Sequence, residues 1–357
     1  MNVLLLISTG PAAALLLSII FVVVSRNGAA QQFSAMFVFG DSLVDDGNNN
    51  YLNSLAKANY LPYGIDFPQG PTGRFCNGKT IIDFLAFTST LTPVISIVNG
   101  VNYASAAAGI LDESGQQLGD RFSLSQQVEN FETTLSQLKS QMDEKDLSQY
   151  LARSLVVMNL GSNDYINNYL LPSLYPTSGN YNPKDYADLL INRYTRQILA
   201  LQSLGLRKFL LAGVGPLGCI PNQLATGLPP PGKCVSAVNN MAGLFNTQLK
   251  SLVDQLNRNH PGSIFVYGNT YGVVTDILNN SSSYGFSVID RGCCGIGRNQ
   301  GQITCLPFAI PCMARDQYVF WDAFHPSHAA NKIIARRAYA GPPSDCYPIN
   351  VKQMAQV

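Results

Sequence analysis

Five short runs of apolar, β-branched or aromatic residues punctuate the chain, at residues 36–39, 94–98, 155–160, 208–212 and 263–267. Each is too short to make a buried helix and is flanked by Gly, Asn or Pro, so each reads as a strand. Between them lie long amphipathic stretches at residues 80–87, 124–142, 183–204, 235–259 and 327–339. In the second, Val128, Phe131, Leu135 and Leu138 recur at helical spacing while Glu, Gln and Lys fill the other positions. Strands that are apolar throughout, alternating with amphipathic helices, indicate a parallel sheet covered on both faces. The pattern therefore predicts an α/β fold, a three-layer αβα sandwich with a central parallel sheet of about five strands. No linker-like tract, charge run or repeat divides residues 31–350, which read as one domain.

Residues 1–30 follow a different pattern. The first 25 carry no charged side chain, and Asn27-Gly28-Ala29-Ala30 then supplies the small residues that a signal peptidase needs. This reads as a signal peptide cleaved after Ala30. No Lys or Arg precedes the apolar run. About 20 apolar residues also suffice to span a bilayer, so an uncleaved anchor is the competing reading. No later segment is long and apolar enough for a second span, and no stable membrane span is expected after cleavage.

Composition narrows the function classes. The 357 residues are 46% hydrophobic and 13% charged, with a formal net charge of +1. Loss of the leader removes one charged side chain, Arg26, leaving 22 of each sign. A nucleic-acid binder would need a basic excess to neutralise phosphates, and a disordered chain would be poor in apolar residues. Neither class fits. The eight cysteines, at 76, 219, 234, 293, 294, 305, 312 and 346, all follow the leader. An even number in an oxidising compartment points to disulfides. Cys219 and Cys234 bracket a Pro/Gly-rich loop and make a local bridge plausible. Cys293, Cys294, Cys305 and Cys312 crowd a Gly-rich segment where zinc is the alternative, although no His lies among them. Pairing within that set is not readable from the sequence. Asn279 and Asn280 each begin a glycosylation sequon in a polar stretch that reads as a surface loop.

Ligands of open parallel sheets sit beyond the carboxyl ends of the strands, so the strand exits carry the candidate chemistry. Residues 73–80 fit the P-loop pattern G-x-x-x-x-G-K-[ST], yet a turn-rich loop precedes them where a strand is needed. Residues 213–218 fit G-x-G-x-x-G after a strand, but Pro216 and Pro221 interrupt the helix that should follow. Only three histidines occur, at 260, 325 and 328. His260 reads as a loop residue and His328 as a helix-start residue. His325 precedes Pro326 and is therefore pushed out of helical geometry, with Ser327 placed to cap the next helix. Asp322 can fold back to accept a hydrogen bond from the imidazole, which would fix its tautomer. A metal pair of His325 and His328 lacks further ligands nearby. Ser42 and Asn163, each taken alone, read equally well as turn residues.

Four blocks appear in order: Phe39-Gly40-Asp41-Ser42-Leu43, then Gly109, then Gly161-Ser162-Asn163-Asp164, then Asp322-Ala323-Phe324-His325-Pro326. Together they resemble the GDSL-type SGNH hydrolases. Asp46-Gly47-Asn48-Asn49-Asn50, Gly73-Arg74-Phe75-Cys76-Asn77-Gly78, Gly292-Cys293-Cys294-Gly295 and Phe320-Trp321-Asp322 echo the plant secreted branch. That stretch of the family pattern accounts for the P-loop match. The resemblance implies a flavodoxin-like SGNH-hydrolase fold. Ser42 would be nucleophile, His325 general base then acid, and Asp322 the group that orients it. The N–H groups of Ser42 and Gly109 and the amide of Asn163 would form the oxyanion hole. It further implies a secreted esterase or lipase of the cell wall or apoplast, with a small-molecule or lipid acyl ester as substrate and no metal or organic cofactor. An acyltransferase building surface polyester would use the same residues, and a catalytically silent wall-binding protein would keep only the fold. Leu43, Val44, Ile110 and Leu111 are apolar rim residues suited to an acyl chain or to the core.

Overall fold

Among the described residues eight strands form: β1 (Met36–Gly40), β2 (Gly100–Asn102), β3 (Leu155–Asn159), β4 (Lys208–Ala212), β5 (Ile264–Gly268), β6 (Val288–Gly292), β7 (Tyr318–Phe320) and β8 (Cys346–Tyr347). The first five run parallel in the order β2-β1-β3-β4-β5, and β8 closes the β5 edge antiparallel. β6 and β7 make a separate two-stranded sheet. This computed structural model describes residues 33–88, 97–230 and 232–357. The expected leader, residues 1–30, lies outside them. Among the described residues no helix is long and apolar enough to cross a membrane.

Alternation along each strand sorts the side chains into two cores. Phe37, Phe39, Val156, Met158, Phe209, Leu211, Phe265 and Tyr267 face one side. There they meet helices α2 (Leu124–Lys139), α3 (Glu144–Ala152), α4 (Pro183–Ser203) and α5 (Ser236–Asn259). Met36, Val38, Leu155, Val157, Leu210 and Val266 face the other, against α1 (Ile81–Thr88), α6 (Thr270–Asn279) and α7 (His328–Ala340). Successive strand residues point to opposite faces, so a strand covered on both sides is apolar at every position. The three-layer αβα sandwich with its central parallel sheet is the observed architecture.

Several boundaries differ from expectation. Of the strand expected at 94–98, residues 94–96 lie outside the described residues, and Ile97–Asn99 form a 3-10 turn. The strand begins instead at Gly100, whose φ of 112° suits glycine and which approaches the Met36 backbone too closely for a side chain. The helix expected over 124–142 stops short at Lys139 as α2, and a further helix, α3, follows from Glu144, capped by Asp143, which accepts from Asp146 N–H. The helix α6 and the short strands β6 to β8 were not expected. The packed chain also continues past residue 350, because Val351 and Met354 of the last turn, α8 (Val351–Met354), are buried in the second core.

Disulfides join Cys219 to Cys234, Cys293 to Cys312 and Cys294 to Cys305. Cys76 and Cys346 are buried thiols. The bridged Cys293, Cys294 and Cys305 pack with Tyr63, Phe75 and Trp321 in a third, smaller core beside the sheet. Asn279 and Asn280 are exposed, but Asn279 ends α6 and Asn280 caps it, so the sequons sit on a helix end and not in a loop.

Candidate active site

The order β2-β1-β3 reverses direction between β1 and β3, and that switch point is where such sheets open a crevice. Ser42 follows β1, and Asn163 follows β3. At the β1 exit, Gly40 has no room for a side chain, since a Cβ would meet Val44 at 2.2 Å. Gln127 of α2 holds both backbone groups of Gly40, accepting from its N–H and donating to its C=O at 2.9 Å each. The Asn-rich stretch after Ser42 stitches the next rim loop in place. Asn48 Nδ2 donates to the Asn102 and Ala104 carbonyls, and Asn49 Nδ2 donates to the Ala106 carbonyl.

That loop delivers Gly109. A Cβ there would meet Ser114 and Asp164 at 2.5 and 2.7 Å, so only glycine fits. Asp164 anchors the following turn, accepting from Ile110 N–H, Leu111 N–H and Ser114 Oγ at 2.7 to 2.9 Å. Burial pushes its pKa up to about 6 against the pull of those three hydrogen bonds. Gly161, with φ 119°, makes the left-handed entry to the turn that presents Asn163. Asn163 Nδ2 donates one proton to the Ala108 carbonyl, and Oδ1 accepts from Asn167. The second Nδ2 proton is left over. Among the described residues, no acceptor takes the N–H of Ser42 or of Gly109.

The final block folds as a tight turn. Asp322 Oδ1 accepts from Phe324 N–H and His325 N–H at 2.9 and 2.8 Å. His325 Nδ1 lies 2.8 and 2.9 Å from the two Asp322 oxygens, and His325 Nε2 lies 2.8 Å from Ser42 Oγ. An ionised carboxylate only accepts, so the Nδ1 proton faces Asp322 and Nε2 is left to accept from the serine hydroxyl. Asp322 is 0% exposed. Burial alone would raise its pKa, but the charge and hydrogen bond of His325, with those from Tyr63 and the Phe324 N–H, hold it below the usual carboxylate range.

The P-loop-like stretch serves this turn. Phe75 packs against the His325 ring at 5.0 Å, Asn77 Oδ1 accepts from His328 N–H, and Lys79 N–H donates to His328 Nδ1. No strand leads into it, and its Cys76, Lys79 and Thr80 N–H groups already donate within the protein. His328 is thus a fastener between loops, not a partner to His325 in a metal pair.

Ser42, Asn163 and His325 line one cleft of about 80 Å³ whose other walls include Leu43, Ile166, Leu217, Ile220 and Phe324. A larger cavity, about 670 Å³, lies beyond the Gly109 loop between Ile110, Tyr175 and Arg193 and holds none of those three side chains. Of the expected apolar rim, Leu43 lines the cleft and Val44 is core. Ile110 and Leu111 line the larger cavity instead. The profile of the GDSL-like lipase/acylhydrolase family matches residues 36–338. The chain belongs to that family. As a GDSL hydrolase it acts on carboxylic esters. It is 62% identical over 330 residues to GDSL esterase/lipase At1g71250 of Arabidopsis thaliana, covering 90% of this chain and 88% of the relative. GDSL esterase/lipase At5g08460, also from Arabidopsis thaliana, is 58% identical over 91% of this chain and 88% of its own length.

Sequence reasoning missed Gln127, Asp164, Tyr63 and Phe75 of this GDSL hydrolase. Asp164 closes the Gly161 block and was open to discovery. Gln127 sits at a core-facing position beside Val128, and its spacing was the available signal.

Proposed function

We propose that the protein is a secreted serine esterase or lipase that cleaves lipid-type acyl esters through an acyl-enzyme. The observation that carries this reading is the run of short contacts from Ser42 Oγ through His325 to Asp322, opening into an apolar cleft. Ser42 Oγ attacks the ester carbonyl as its proton passes to His325 Nε2. Asp322 offsets the positive charge that then forms on the imidazole. The carbonyl oxygen gains negative charge within reach of the Ser42 and Gly109 N–H groups and the spare Asn163 Nδ2 proton, the proposed oxyanion hole. His325 returns the proton to the departing alkoxide, which leaves as the alcohol. Water, activated by the same histidine, then hydrolyses the acyl-Ser42 ester and releases the acid. The leader, the three disulfides and the exposed sequon at Asn279 or Asn280 support secretion with N-glycosylation.

The test is hydrolysis of a chain-length series of acyl esters by the mature protein, with and without glycerol as acceptor. Ser42→Ala is expected to lose activity by at least about 10⁴-fold and to lose fluorophosphonate labelling. Equal activity in wild type and variant would overturn the assignment. Product appearing chiefly as glycerol esters would rename the activity an acyl transfer.

A further inference from the structure

Asp322 is sealed from solvent, so every group that holds its charge belongs to the protein. Oδ1 is bonded within its own turn, by the N–H groups of Phe324 and His325. Oδ2, besides its 2.9 Å contact with His325 Nδ1, also faces away from the turn. Its strong donor comes from a distant loop: Tyr63 Oη donates to it at 2.6 Å. Tyr63 is itself 1% exposed, and its ring is wedged edge-on between Tyr60, Phe75 and Trp321 at 5.3 to 6.2 Å. Burial, reinforced by the Asp322 charge, raises the phenol pKa well above its ordinary value, so the group stays a donor. Thr304 Oγ1 stands 3.2 Å from Tyr63 Oη and 3.3 Å from Asp322 Oδ2, and its single proton serves either oxygen. The next residue, Cys305, is bridged to Cys294, and Cys294 N–H donates to the Trp321 carbonyl at 2.7 Å. The disulfide-tied loop and the Tyr63 loop thus converge on the rear of the carboxylate.

We propose that Tyr63 is a positioning residue for ester cleavage: its hydroxyl, backed by Thr304, keeps the Asp322 carboxylate ionised and aimed at His325 Nδ1. This rests on the reading of Ser42, His325 and Asp322 as the reacting groups. Without the phenol, burial is opposed by fewer donors, so Asp322 takes up a proton at higher pH. A protonated Asp322 cannot offset charge on the imidazole, and the carboxyl group is freer to turn. Both effects weaken catalysis most on the acidic side, and neither touches the acyl cleft.

The test compares wild type, Tyr63→Phe and Thr304→Val as disulfide-intact mature protein on a soluble short-chain p-nitrophenyl ester across pH. Tyr63→Phe is expected to lose about tenfold in kcat with KM within about twofold, the equivalent of one hydrogen bond to a charged group. The acidic limb of its kcat profile should move up by about half a pH unit or more. Thr304→Val should move the limb in the same direction by less. A wild-type profile in Tyr63→Phe, or a loss uniform across pH, would overturn the proposal. Should Tyr63→Phe fail to fold by near-ultraviolet circular dichroism, Thr304→Val decides, and an unmoved limb there overturns it. Wild type with no Ser42-dependent activity would instead sink the reading of the site.

Discussion

Two buried aspartates at the proposed site show how local donors set the fate of a charge. Asp322 has its oxygens met by backbone N–H groups, an imidazole and two hydroxyls, and burial loses. Asp41, next to Ser42, is 1% exposed; its Oδ1 accepts from Leu43 N–H, while Oδ2 has no partner among the described residues. There burial wins and pushes the pKa up to about 7. Its value in the unfolded chain is near the ordinary ~3.9. Between those two values the folded state holds a proton that the unfolded state has released, so this group's contribution to stability falls as pH rises from about 4 to 7. Asp41→Asn should remove that slope, up to one proton's worth or about 1.4 kcal/mol per pH unit. Urea denaturation of both proteins at several pH values checks it, and an unchanged slope would refute it. Neither environment was legible beforehand. The motif named Asp41 and Asp322 alike, and only their surroundings separate them.

Among the elements, the helices were the most legible, because one apolar face per 3.6 residues is written directly into the chain. That same rule hid Gln127. Its position on α2 faces the core, yet a glutamine there reads as solvent-facing until the strand end it serves is in view. It is 0% exposed and satisfies both backbone groups of Gly40, two residues before Ser42. Gln127→Ala would leave the buried Gly40 N–H without an acceptor, while the Gly40 carbonyl keeps the Ser105 N–H, at a cost of about 1–3 kcal/mol. A matching fall in denaturation midpoint, with reduced esterase activity from a loosened Ser42 turn, is the expected outcome. A wild-type midpoint would count against the clamp. The short strands were the least legible elements. Three residues of β2 cannot show a period, and β8 forms only because β5 offers an edge.

At the scale of the molecule, the cysteines divide by location. Six lie in bridges that hold the rim loops and the third core, while Cys76 and Cys346 are enclosed, with burial raising both thiol pKa values to about 12. Thiol titration should therefore find no reactive cysteine in the native protein and two of eight after unfolding without reductant. Any other count in the unfolded protein would contradict the pairing. Even parity in the sequence suggested that all eight could pair. Only the fold places these two thiols apart, Cys76 in the loop that packs on His325 and Cys346 in the last strand.

The sequence by itself determined the alternating strands and helices, the neutral and aromatic-rich composition, and the four ordered blocks whose family resemblance implied Ser42, Gly109, Asn163, Asp322 and His325 as the site. These are local properties: apolar period, turn chemistry and motif spacing. The tertiary structure decided what has no local signature. It brought Ser42 within 2.8 Å of a histidine 283 positions away, and set Tyr63 against Asp322 across 259. It also made Gln127 a strand clamp. Such contacts depend on how the strands order and how the loops close, and a parallel sheet joins its strands only through long crossovers.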